Sequence, residues 1–200
     1  FIEGVPAKPP TAGFYPSDMT RAEFEGWVKT LSAADQARAV GFFTVIRRDA
    51  NKQLQMVPYS EAYKEFLEPA AKLLKEAATQ TRNDSLRKFL NARAEAFKSD
   101  NYYESDVAWM DLQSPLEITI GPYETYEDEL FSYKAAYEAF VTIRNDAETS
   151  KLAKFSGYLQ ELENNLPLDP KYRNPKLGAL APIRVVDQVF ASGDARRGVM

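Results

Sequence analysis

Histidine and cysteine are both absent from the 200 residues. The first absence removes the commonest general base and the commonest zinc ligand. A Ser-His-Asp triad, a Cys-His pair and an HExxH zinc helix are therefore impossible within these residues. Without cysteine there is no disulfide and no thiolate nucleophile, although a cysteine-free chain suits a reducing or an oxidising compartment equally. Any chemistry done by these residues alone falls to carboxylates, lysine, tyrosine or an oxygen-ligated cation. No apolar run approaches the ~18 residues that span a bilayer. Net charge is −4 with both signs interspersed, and no basic tract or polybasic helix points to nucleic acid or an anionic membrane. Gly13, Gly121 and Gly193 are too far apart to build a phosphate loop.

What is present is core material. Hydrophobic residues make up 44% of the chain, with 12 Phe and 11 Tyr, enough for one large domain or two small ones. Residues 1–18 hold four prolines and predict an extended arm packed through Phe1, Ile2, Phe14 and Tyr15. Asp18 or Thr20 caps a helix, with Glu23 at the capping-box spacing and Phe24, Trp27, Val28 and Leu31 as its apolar face. Ser32 and Asp35 open a second, short helix. Phe42 to Val57 reads as a hairpin turning at 48–52. Ser60 is placed to cap the clearest helix, whose stripe is Tyr63, Phe66, Leu67, Ala70, Leu73, Leu74 and Ala77, with Pro69 inside it. A break at 81–85 leads to a helix burying Leu86, Phe89, Leu90, Ala94 and Phe97, and the two helices should form an antiparallel hairpin.

The stretch 115–144 looks like the organising sheet. Leu116, Ile118 and Ile120 alternate with Glu117 and Thr119, the period of a half-buried strand. Gly121 and Pro122 should interrupt it, and a second alternating run covers 133–144, the two strands forming the middle of a sheet. Residues 146–164 predict one helix, 166–177 a Pro-rich connector, and 183–190 a further strand. The fold class is α+β, mainly helical with a small mixed or antiparallel sheet. A strand-like end running to Met200 suggests a piece of a longer chain.

Four groups of residues invite a chemical reading. Glu124, Glu127, Asp128 and Glu129 could ligate calcium but lack EF-hand spacing, and an acidic run of this kind reads as a solvated turn. Glu104 and Asp106, beside Tyr102, Tyr103 and Trp109, could form a carboxylate pair or a sugar site, but surface plus core explains them as well. Arg196 and Arg197 are only a weak anion signal. Glu117 stands on the polar face of a sheet strand next to Thr119, so its carboxylate meets solvent, pairs with Arg or Lys, or faces a cleft.

The segment EITIGPYETY at 117–126, the aromatic strand after it, the following helix and ALAPIRVVDQVFASGDARRGVM together resemble the dipeptidyl peptidase III family of zinc metallopeptidases. The likeness is strongest to its bacterial and plant branch, some members of which carry a fused Nudix domain. The resemblance implies a two-lobed cleft enzyme that releases dipeptides from the N-terminus of oligopeptides. Zinc would be held through an HExxGH-type motif in a C-terminal metal-binding portion outside these residues. On this expectation 1–144 and 181–200 belong to the β-containing lobe, and 145–180 make a helical excursion toward the metal-binding lobe. Glu117 matches a family Glu that could hold the peptide's amino terminus. Thr119 falls where the dipeptidyl peptidases have a Tyr near the scissile carbonyl, which leaves a peptide-binding module with altered chemistry as the alternative. Gly198, Val199 and Met200 would border the substrate strand. The expected setting is cytoplasmic, with an oligopeptide substrate and no nucleic acid or membrane partner.

Overall fold

The computed structural model describes residues 10–128, 130–178 and 183–193. These fall into two compact units. One is drawn from Phe1–Gln113, Thr119–Ala139 and Ala191–Met200, the other from Ser114–Ile118 and Phe140–Phe190. The fold is α+β: after a 3-10 turn at Pro10–Gly13, the described residues form eight α-helices and five strands.

The first unit begins with two short capped helices. In α1 (Arg21–Lys29) the Thr20 side chain accepts from the Glu23 N–H at 3.2 Å, and in α2 (Ala33–Ala39) Ser32 accepts from Asp35 at 3.2 Å. The Thr20 cap therefore forms as its spacing predicts. Glu23, however, bonds to Arg48 at 2.9 and 3.1 Å, and Arg48 also takes Asp18 at 3.2 Å. The hairpin is present as β1 (Thr44–Arg48) and β2 (Leu54–Pro58), antiparallel with Val45 opposite Val57. Its loop is pinned by Asp49, whose carboxylate accepts from Asn51 and Gln53 N–H groups at 2.8 Å each.

Ser60 does not cap the long helix. It lies inside a short α3 (Tyr59–Ala62), where its N–H and hydroxyl donate to Asp100, and α4 (Lys64–Gln80) starts only after a break at Tyr63. The buried face of α4 is Leu67, Ala71, Leu74 and Ala78, one position on from much of the expected stripe, and Phe66 and Leu73 are exposed. α5 (Asp84–Ser99) is capped by Asn83, which accepts from Leu86 at 2.9 Å. It buries all the expected apolar residues and, in addition, Arg93. α4 and α5 pack together, linked by a Lys75–Glu95 ion pair, and α6 (Tyr103–Met110) packs on α5.

The aromatic core of this unit lies around Phe14, Tyr15, Phe24, Val45, Ile46 and Tyr59, with Phe131, Tyr133 and Tyr137 against it. Phe14 and Tyr15 are thus core residues, while Phe1 and Ile2 lie outside the described residues. Burial of this many apolar side chains, at ~1.5–3 kcal/mol each, is the main force that holds the short elements together.

Three longer strands are hydrogen-bonded in the order β3 (Leu116–Glu124), β4 (Ala136–Arg144), β5 (Val186–Gly193). In the second unit the Arg144 N–H donates to the Pro115 carbonyl and the Asn145 N–H to the Val185 carbonyl, both at 2.8 Å, so both pairings are antiparallel. Two expectations change here. β3 runs straight through Gly121 and Pro122, because Gly121 takes φ +152°, which a side chain would resist. And β4, not β3, holds the middle place. The predicted helix at 146–164 is two helices, α7 (Asp146–Ser156) and α8 (Leu159–Asn164), parted at Gly157 and Tyr158; neither buries a residue.

Candidate functional site

In the second unit, Glu117 finds a partner. Arg184, just before β5, forms an ion pair with its carboxylate through Nη1 and Oε1. The two side chains keep only 15% and 17% of their exposure, so the pair is largely withdrawn from water. Such a pair is held by geometry, since desolvation cancels much of the Coulomb gain. The Thr142 hydroxyl donates to the Glu117 carbonyl at 3.1 Å and ties β3 to β4 at this point. Of the readings open to Glu117, pairing with arginine is the one observed. Arg184 was missed because nothing in its local sequence marks it, and it lies 67 positions from its partner.

In the first unit, Thr119 is half-buried on β3. By strand alternation it shares a face with Gly121 and Tyr123. A Cβ on Gly121 would come within 2.8 Å of Arg93 Nη1 and 3.3 Å of the Tyr123 ring, so the guanidinium occupies the space a side chain would need. Burial pushes the Tyr123 phenol up to about 12, with the Arg93 cation opposing. Ile120, on the opposite face, lines a pocket of about 430 Å³ with Phe14, Phe66, Leu67, Phe97 and Tyr137. The Tyr137 and Tyr102 hydroxyls bond to each other at 2.9 Å. Burial raises both phenols well above the ordinary range, so they stay protonated.

The acidic connection is not a solvated turn at Asp128, which is 1% exposed. Its carboxylate accepts from the Tyr15 hydroxyl at 2.7 Å and from the N–H groups of Leu130, Phe131, Tyr133 and Lys134 at 3.0–3.3 Å. Lys134 is buried beside it and donates to the Ala39 carbonyl, the Gly41 carbonyl and the Thr44 hydroxyl at 2.6–2.9 Å. This polar node is saturated from within and holds the loop to α2 and β1. Glu129 lies outside the described residues, as do Arg196 and Arg197. Glu104 and Asp106 do not act as a pair: Glu104 is exposed, and Asp106 bonds to Arg93 at 2.6 Å. Gly198, Val199 and Met200 also lie outside the described residues. Among the described residues, no group of three or more Asp, Glu, His or Cys side chains could hold a metal ion, and no helix is long and apolar enough to cross a membrane.

A mainly helical α+β fold with a paired carboxylate on one of its two nine-residue strands does not define a class of protein by itself; likeness to known proteins does. Residues 61–179 match the model of peptidase family M49, and the chain belongs to that family. It is 58% identical to dipeptidyl-peptidase III from Corallococcus sp. strain EGB, with a TM-score of 0.83 over 100% of this chain and 37% of that one. It is 52% identical to DPP III from Caldithrix abyssi, with a TM-score of 0.90 over 98% of this chain and 37% of that one. Nudix hydrolase 3 of Arabidopsis thaliana is 46% identical over 94% of this chain and 27% of its own length. The chain thus spans between 27% and 37% of the length of these relatives.

Proposed function

We propose that these residues form the peptide-orienting part of a zinc-dependent exopeptidase of the dipeptidyl peptidase III type, which releases dipeptides from the N-terminus of oligopeptides. The observation that carries the reading is Glu117, a carboxylate held on β3 by Arg184 with only 15% of its side chain exposed. Arg184 engages Oε1, and a carboxylate has about four acceptor positions. The same group can therefore take a peptide ammonium without giving up its arginine. A fixed carboxylate of this kind selects a free amino terminus over a blocked one. Membership of the peptidase family and the two dipeptidyl-peptidase III structures support the assignment.

The zinc in this reading belongs to residues beyond the 200 described by the sequence, since the described residues offer no ligand cluster. When bound there, it supplies a Lewis acid and an activated water. This chain supplies orientation. The C-terminal metal-binding portion of the same protein is then its principal partner, and 145–180 is the part that reaches toward it. Exposed Phe155, Tyr158 and Leu162 on or between α7 and α8 suit such a contact. A cytoplasmic setting belongs to the same proposal.

Thr119 favours a second reading, a peptide-binding module with diminished chemistry. Its hydroxyl is shorter and far less acidic than the phenol that the dipeptidyl peptidases present. The full-length protein separates the two. Dipeptide release from an unblocked peptide, abolished by a chelator and restored by zinc, is the expected result. Peptide binding without release in zinc overturns the peptidase reading.

A further inference from the structure

Arg93 sits where α5 should present an apolar residue. It lies four positions after Phe89 and four before Phe97, and it is completely buried. Its Nη2 donates to Asp106 at 2.6 Å, but Nε and Nη1 find no hydrogen-bond partner. The rings of Phe89, Tyr102 and Tyr123 surround the cation at 5.5, 5.2 and 5.5 Å from their centroids. Aromatic faces compensate part of the lost hydration. Even so, a well-packed apolar side chain would fill the same volume without unpartnered donors. A buried side chain that costs local stability is expected at a functional or a strained site.

The direction in which Arg93 points identifies that function. Nη1 lies against Gly121, and the Tyr123 ring closes on the same spot. Both residues share the Thr119 face of β3. Gly121 is required twice, by its φ of +152° and by the guanidinium in place of a side chain. We propose that Arg93 is a positioning residue for peptide recognition: through Gly121 and Tyr123 it fixes the segment of β3 that presents Thr119. The inference rests on the peptidase reading given above, and it extends that reading to a side chain that touches no substrate.

The test uses the full-length protein with Arg93→Met and Arg93→Lys. Loss of folded protein lowers apparent kcat but leaves KM alone, so KM is the informative constant. In Arg93→Met, KM for an unblocked peptide rises at least about fivefold with kcat within about threefold. Amide exchange over 119–123 accelerates at least about tenfold while α4 keeps its protection. Arg93→Lys keeps the charge and the Asp106 partner but loses the planar face, and it lies between Met and wild type on both measures. It also serves if the Met variant fails to fold. Unchanged exchange over 119–123 in a folded variant overturns the proposal whatever the activity, and so does an unchanged KM. Failure of the wild type to release dipeptides refutes the peptidase reading separately, and the exchange measurement then still decides the role of Arg93.

Discussion

The Tyr15 hydroxyl donates to the Asp128 carboxylate at 2.7 Å across 113 positions of sequence. With four backbone N–H groups on the same carboxylate, this bond closes the loop before β4 onto the N-terminal core. Asp128→Ala leaves those donors buried and unpartnered, and it should cost about 4 kcal/mol in equilibrium unfolding. Tyr15→Phe removes one charge-assisted bond and should cost about 2 kcal/mol. Equal, small effects would mean that the loop is held by packing alone.

Lys134 gives the fold a pH signature. Burial pushes its ammonium down to about 7, with the Asp128 charge opposing. An unfolded lysine titrates near ~10.4. Between these values the unfolded chain holds a proton that the folded chain has released, so stability rises with pH. The phenols of Tyr15, Tyr59, Tyr102 and Tyr137 are pushed the other way by burial. Above about pH 10 the unfolded chain loses phenolic protons that the folded chain keeps, and stability falls. The denaturation midpoint should climb from pH 7 to about 9.5 and then drop. Lys134→Met should abolish the climb and keep the drop. A midpoint that is flat from pH 7 to 9.5 in the wild type would contradict this.

Two glycines should respond in opposite directions. Gly193 has φ +85°, and a Cβ there would approach Glu138 Cα at 2.7 Å and collide with the Tyr137 carbonyl. Gly193→Ala should cost at least about 2 kcal/mol. Gly26 lies inside α1 with open space around its missing Cβ. Gly26→Ala should stabilise by about 0.4–1 kcal/mol. Equilibrium unfolding of both variants checks the pair, and a neutral Gly193→Ala would contradict the close approach of β5 to β4.

Local signals were legible in the sequence and long-range ones were not. Thr20 and Ser32 announced their helices because a cap is read by N–H groups two or three residues away. The α4–α5 hairpin followed from helical spacing, but its contact face did not. The stripes through Phe66 and Leu67 are both apolar, and only tertiary packing chooses between them. Asp128 looked like part of a solvated turn and Lys134 carried no sign of burial, because the partners that make them buriable lie up to 113 and 95 positions away. Glu117 could be singled out from strand alternation and family likeness. Its partner Arg184 and the buried Arg93 could not, although an arginine in the middle of an apolar stripe is a signal worth reading.

The Glu117–Arg184 pair makes a prediction for substrate binding. Glu117→Gln keeps the shape but removes the charge, and KM for an unblocked peptide should rise about tenfold or more. It also leaves Arg184 without its counter-charge, so some stability is lost. Arg184→Met in the same background should recover part of that loss, a positive coupling in a double-mutant cycle. Additive losses would mean that the pair is not energetically linked.

The most direct measurement follows product release by mass spectrometry from the full-length protein, zinc present, with an unblocked octapeptide and its N-acetylated twin. The account predicts successive dipeptides from the free amino terminus and none from the acetylated peptide. Equal cleavage of the two peptides, or internal cuts in both, would contradict it.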